Sequence, residues 1–116
     1  MSTHTMKLKP SPFNKIKDKY KTIELRLYDE KRRMINIGDT IQFVQLETKE
    51  TLDVIVEDLY IFDTFKDLYE NLDLLECGYT QETIMNASYK DMELYYPLEK
   101  QLQYKVVGIK IGSQMK

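Results

Sequence analysis

Hydrophobic and polar residues alternate along this chain in short runs, and those runs predict its elements. Met6 and Leu8 alternate with Lys7 and Lys9, a period of two that predicts a short edge strand. In the Pro10–Pro12 segment, Ser11 can cap a helix and Pro12 can fill its first position. Phe13, Ile16 and Tyr20 recur at spacings of three and four, the apolar face of a short helix from which Lys15 and Lys19 project away. In Lys21–Leu27, Ile23, Leu25 and Leu27 point to one side and Thr22, Glu24 and Arg26 to the other, which predicts a half-buried strand. Asp29 to Arg33 is a charged turn and Gly38-Asp39 a second turn. Thr40–Leu46 is a strand with Ile41 and Phe43 inward and Val44 as a further candidate. Beyond a polar tip at Lys49-Glu50, Thr51–Phe62 reads as one long strand in which Leu52, Val54 and Val56 alternate with Asp53, Ile55 and Glu57. Ile55 intrudes on the polar set, which predicts a bulge or burial on both faces.

The second half is less regular. Asp63 is placed to cap a helix Thr64–Leu72 whose Phe65, Leu68 and Tyr69 form a packing stripe. Glu76 to Tyr79 is a loop, Thr80 can cap a helix from Gln81 to about Met92, and Tyr95-Tyr96-Pro97 breaks it. Tyr104–Ile111 is the closing strand, with Gly108 marking a bend or a close backbone approach. Strands and helices do not alternate as a parallel α/β sheet requires. The expected fold is therefore α+β: a small mixed, mainly antiparallel β-barrel flanked by helices. Its expected core is Ile23, Leu25, Leu27, Ile41, Phe43, Val54, Val56, Val107 and Ile109.

Composition narrows the class. With 116 residues, 42% apolar and 31% charged, the chain fits a single folded domain, 1–116, with residues 1–5 as a frayed polar tail. No run approaches the ~20 apolar residues that span a bilayer, and no charged-then-apolar leader opens the sequence. Cys77 is the single cysteine, so a packed thiol and a cytoplasmic location are the expectation. His4 sits in the tail, and there is no zinc-ligand spacing, phosphate-binding glycine loop or Ser/His/Asp set, so neither a metal nor a cofactor is expected. The net charge of −2 hides an asymmetry. Residues 1–33 carry ten Lys or Arg against four Asp or Glu, and the remainder seven against fifteen. Such a dipolar chain presents one face to an anionic partner, though it is not basic enough to be a general duplex binder.

The densest chemistry lies between Lys21 and Arg32. Glu24 and Arg26 share a strand face, which suits a simple surface ion pair worth ~0–1 kcal/mol. It equally suits a recognition surface, with Lys21 and the forked donor Arg26 on phosphate and Glu24 accepting from the exocyclic amine of a base. Lys21 has the wrong parity to join them unless the strand begins irregularly. Lys31 and Arg32 extend the cationic run, and Tyr95 and Tyr96, with Tyr79 and Tyr104, are candidates to stack on a base.

The string KTIELRLYDEKRRMINIGDTIQF resembles the signature of ASCH-domain proteins, in which a Lys-x-x-Glu-x-Arg strand leads to a charged turn, Gly-Asp and another strand. Phe62 to Phe65, Glu76 to Tyr79, Tyr95 to Pro97 and Tyr104 to Ile109 are similar to the rest of that pattern. One departure is that the glycine often found two residues before the motif lysine is Lys19 here. The resemblance implies a PUA-like barrel with a cleft for RNA or a nucleoside- or nucleotide-like molecule. The binding residues it suggests are Lys21, Glu24, Arg26, Lys31, Arg32, Tyr95 and Tyr96. One similar branch hydrolyses acetylated cytidine with a lysine, a threonine nucleophile and a downstream glutamate. Carried over, these fall on Lys21, Glu24 and about Glu76, with Thr22 two residues before Glu24. The alternative it implies is a hydrolase of a modified nucleoside (an amidohydrolase) or of RNA. Glu24 would then activate water and Lys21 would stabilise the oxyanion, because a glutamate cannot replace the threonine alkoxide.

Overall fold

The computed structural model of the protein describes residues 2–115. Strands β1 (Thr3–Leu8), β2 (Ile23–Leu27), β3 (Thr40–Gln45), β4 (Thr51–Phe62) and β5 (Val106–Met115) form one sheet of order β1-β3-β4-β5-β2. β1 and β3 run parallel, and the other pairings are antiparallel. The sheet curls into a half-barrel flanked by helices, the α+β arrangement that the alternation predicts. The curl brings its two edge strands together: Arg26 Nη2 on β2 donates to the Lys7 carbonyl on β1 at 3.1 Å. Register shifts on both sides of Val56 give β4 the bulge foreshadowed by Ile55, which sharpens the bend.

Two apolar clusters occupy the two faces of the sheet. Met6, Leu8, Ile41, Phe43, Val54, Val56, Val107 and Ile109 pack with Phe13 and Ile16 inside the curl. Ile23, Leu25 and Val106 pack on the outside against Phe65, Leu68 and Cys77. The expected core is buried apart from Leu27, which is half-buried. Val44 is also half-buried, and Gln45 takes the inward place after Phe43. Its Oε1 accepts from the Glu47 and Thr48 amides to build the following turn.

Several local expectations need correction. β1 begins at Thr3, within the segment expected as a polar tail, and His4 Nε2 lies 2.9 Å from Asp39 Oδ2. Asp39 also accepts from the amides of Asn36 and Ser2, and these bonds, led by that from His4, hold its carboxyl down at about 2. Helix α1 spans Pro10–Lys17, so Lys9 is its N-cap and Pro10, not Pro12, opens it. It stops one turn short of Tyr20, which is 76% exposed. Lys19 there has φ of 67°, the left-handed conformation that a glycine adopts without cost. The charged turn is a single helical turn, α2 (Glu30–Arg33), capped by Asp29. Thr64, not Asp63, caps α3 (Phe65–Asn71), accepting from the Asp67 amide.

The helix expected from Gln81 to Met92 does not form. Thr80 and Thr83 instead bond each other's backbone amides, the competition that keeps such side chains out of helices. A 3-10 turn at Ile84–Asn86 and a short α4 (Lys90–Glu93) follow. α5 (Leu98–Tyr104), a helix that the sequence pattern does not predict, takes in Tyr104, the residue expected to open the last strand. It is pinned by Gln101, which is 1% exposed, accepts from the Phe65 amide at 2.9 Å and donates to the Tyr96 carbonyl at 2.8 Å.

Gly108 is the close approach that the sequence suggests. A Cβ there would sit 3.0 Å from Leu72 Cδ1 and 3.1 Å from Ile23 Cγ2. Gly108→Val should therefore cost about 1–3 kcal/mol by overpacking the outer face, read by urea denaturation. An unchanged midpoint would mean that this face is not packed as described.

Candidate functional site

A cleft of about 610 Å³ opens along the seam between β1 and β2, beside α1, the Gly78 loop and the segment around α4. Its floor comes from β2. Glu24 pairs across the sheet with Ile109, so its side chain points into the curl, where it is 3% exposed. Lys21 Nζ lies 2.7 Å from Glu24 Oε1, and Arg26 Nε donates to Oε2 at 2.7 Å. Burial alone would raise the Glu24 carboxyl. The charges of Lys21 and then Arg26, with their hydrogen bonds, outweigh it and hold the group below the usual carboxylate range.

Lys21 reaches this floor despite its parity because the strand begins only at Ile23. After the left-handed turn at Lys19, the Lys21 amide bonds back to the Lys15 carbonyl. The stem of Lys21 runs over Gly78, where φ is +112° and an added Cβ would come within 3.3 Å of Lys21 Cδ. Lys15 Nζ donates to the Gly78 carbonyl at 3.0 Å, tying α1 to the same loop.

The two sides differ in character. Lys7, Lys9 and Lys15 line the side formed by β1 and α1, and Tyr69, Tyr79, Tyr95, Tyr96 and Asp91 line the other. With Lys21 and Arg26, five cations face two carboxylates in a concave site, which concentrates positive potential. Lys9 Nζ lies 5.8 Å from the Tyr95 ring centre, and Tyr95 is 64% exposed. Tyr96 stacks on Phe65 with ring centres 5.7 Å apart, so its ring is partly committed to packing. Tyr69 and Tyr79 share a 2.8 Å hydroxyl contact, and the Tyr79 hydroxyl donates to Asp91 at 2.6 Å. Cys77 is a buried wall residue, and burial pushes its thiol up to about 12, which leaves it unreactive.

The structure thus brings Lys21, Glu24, Arg26, Tyr95, Tyr96 and Tyr79 to one cleft. It places Lys31 and Tyr104 elsewhere, around a separate hollow beside α2. Arg32 bonds its own cap, with Nη1 3.1 Å from Asp29 Oδ2. Glu76 is not part of the cleft lining. Its carboxylate is paired with Lys110 and accepts from the Thr22 hydroxyl at 2.9 Å, while its carbonyl accepts from the Thr22 and Ile23 amides. The Lys110 bond, then that of Thr22, lowers its carboxyl. Glu76 is a strut holding its loop to the start of β2. Lys7, Lys9, Lys15, Tyr69 and Asp91 are cleft residues that the sequence reading does not single out as ligand-facing. For Lys7 and Lys9 the signal is present, since their alternation with Met6 and Leu8 turns both away from the core. Among the described residues no cluster of His, Cys, Asp or Glu is arranged to hold a metal, and no helix is long and apolar enough to cross a membrane.

A family model for the ASCH domain matches residues 6–112. The chain belongs to the ASCH domain family. Its fold is shared with hypothetical protein PH0355, whose crystal structure is 31% identical with a TM-score of 0.80, covering 99% of this chain and 100% of that one. The solution structure of protein PF0455 from Pyrococcus furiosus is 32% identical with a TM-score of 0.72, over 94% of each chain. ASCH from Zymomonas mobilis, 14% identical, matches with a TM-score of 0.64 over 96% of this chain and 67% of its own, a likeness of fold alone. No curated protein matches the chain.

The buried charges of this ASCH domain make a prediction. Glu24→Gln strips two nearly buried cations of their counter-charge and should cost about 3–5 kcal/mol. Because the folded carboxyl is depressed, its contribution is complete above the unfolded value of about 4.3 and is lost as pH falls through the lower folded value. In denaturation from pH 7 to pH 3, the gap between wild type and variant should stay constant to about pH 5 and then narrow. A gap that widens on acidification would reverse the assigned sign.

Proposed function

We propose that this ASCH domain binds RNA or a nucleotide-like molecule in the seam cleft, with phosphate on the cationic side and a base against the tyrosine side. The observation that carries this reading is the convergence of five cations and an exposed aromatic ring around one concave site. Lys21 and Arg26 are the preorganised cations: Glu24 fixes both, so little side-chain ordering remains to be done on binding. Glu24 acts mainly through them, because its Oε1 is covered. Tyr95 supplies the exposed stacking face, a contact worth about 1–3 kcal/mol per base where it forms.

Hydrolysis has less support. Glu76 is spent on Thr22 and Lys110, which leaves Lys21 and Glu24 without the third member of the set. Wild-type protein should therefore release no acetate from acetylated cytidine. Release that disappears in Lys21→Ala would overturn this and make the domain an amidohydrolase.

Binding is tested by titrating a short single-stranded RNA at rising ionic strength. Affinity should fall with salt by about 0.7 in the log–log slope per neutralised phosphate. Lys21→Ala and Lys7→Ala should each weaken binding and flatten that slope. A salt-independent affinity would remove the phosphate from the model.

A further inference from the structure

The tyrosine side of the cleft holds a hydrogen-bond chain whose direction can be worked out from its protons. A carboxylate only accepts, so the 2.6 Å contact between Tyr79 and Asp91 uses the one proton of the Tyr79 hydroxyl. The 2.8 Å contact between the two tyrosine oxygens must then use the proton of Tyr69. Burial raises both phenols, Tyr69 to about 12, so each keeps its proton at neutral pH. Tyr69 consequently has no proton left for a ligand, while its oxygen retains lone pairs. In a cleft whose other side offers ammonium and guanidinium donors, that oxygen is a fixed acceptor.

We propose that Tyr69 is a specificity residue whose hydroxyl oxygen selects nucleotides with an exocyclic amino group on the base, over those with a carbonyl at the same position. The inference rests on the nucleotide reading of the cleft. An amino group donates to the Tyr69 oxygen; a carbonyl there meets lone pair against lone pair and leaves both acceptors unpaired, which is the strong form of discrimination. Asp91 and Tyr79 are positioning residues, since together they set the direction of the chain.

The test is calorimetric titration with two matched pairs, cytidine against uridine 5′-monophosphate and adenosine against inosine 5′-monophosphate. Wild type should favour the amino member about 10-fold in at least one pair. Tyr69→Phe should reduce that preference to within about 2-fold by weakening the amino member. Tyr79→Phe leaves the Tyr69 oxygen in place but frees its proton to turn toward a carbonyl. It should erase the preference by strengthening the oxo member, an effect that a purely steric role for Tyr69 would not produce. Thermal melts establish that both variants are folded. Equal binding within both pairs, or a preference that survives in either variant, overturns the assignment of Tyr69 alone. Absence of binding by all four nucleotides overturns both this inference and the nucleotide reading beneath it.

Discussion

A carboxylate taken out of water must be met by charge or by N–H groups where it sits, at a cost otherwise of several kcal/mol. Glu24 lies inside the curl of the sheet, and the surrounding geometry answers that constraint. Arg26, two residues along the same strand, gives Nε to Glu24 and Nη2 to the Lys7 carbonyl on the opposite edge. A single guanidinium thereby neutralises the carboxylate and bridges the seam of the half-barrel. Lys21 reaches the other oxygen from an irregular segment, which exists because α1 ends early and Lys19 turns left-handed. Gly78 leaves room for the Lys21 stem, and Lys15 fastens that loop to α1. Moving Glu24 would loosen each of these contacts in turn.

Where the pattern has a clear period, the fold is legible from residues alone. Ile23 and Leu25 on one face, and Ile41 with Phe43 on another strand, place the sheet correctly because a one-residue slip would expose all of them. Alternation nevertheless assigns Glu24 to a polar face, when the curl buries both faces of β2 at that point. A period of two reports which residues share a side, not whether that side meets water. Residues 80–104 fail for another reason. Threonine hydroxyls capture local amides there, and the long-range clamp from Gln101 to Phe65 and Tyr96 has no signature in local spacing.

The charge asymmetry along the chain becomes a spatial one. All five cations of the cleft come from the basic first 33 residues, and all four of its tyrosines, with Asp91, come from the acidic remainder. Lys31 and Arg32 belong to the same basic run, yet α2 carries them to another surface. Sequence proximity to the motif suggests them, and one helical turn is enough to separate them from it. Lys7 and Lys9 lie far from the motif in sequence but close in space, because β1 and β2 are the two edges of a closing sheet.

The Glu24 cluster is most directly tested by following the carboxyl carbon of Glu24 by nuclear magnetic resonance as pH is lowered. If Lys21 and Arg26 organise the site as described, its titration midpoint lies below the ordinary glutamate value of about 4.2, and Lys21→Met raises it. A midpoint above the ordinary value would show that desolvation outweighs the two cations, and that the ion-paired floor of the cleft does not exist in solution.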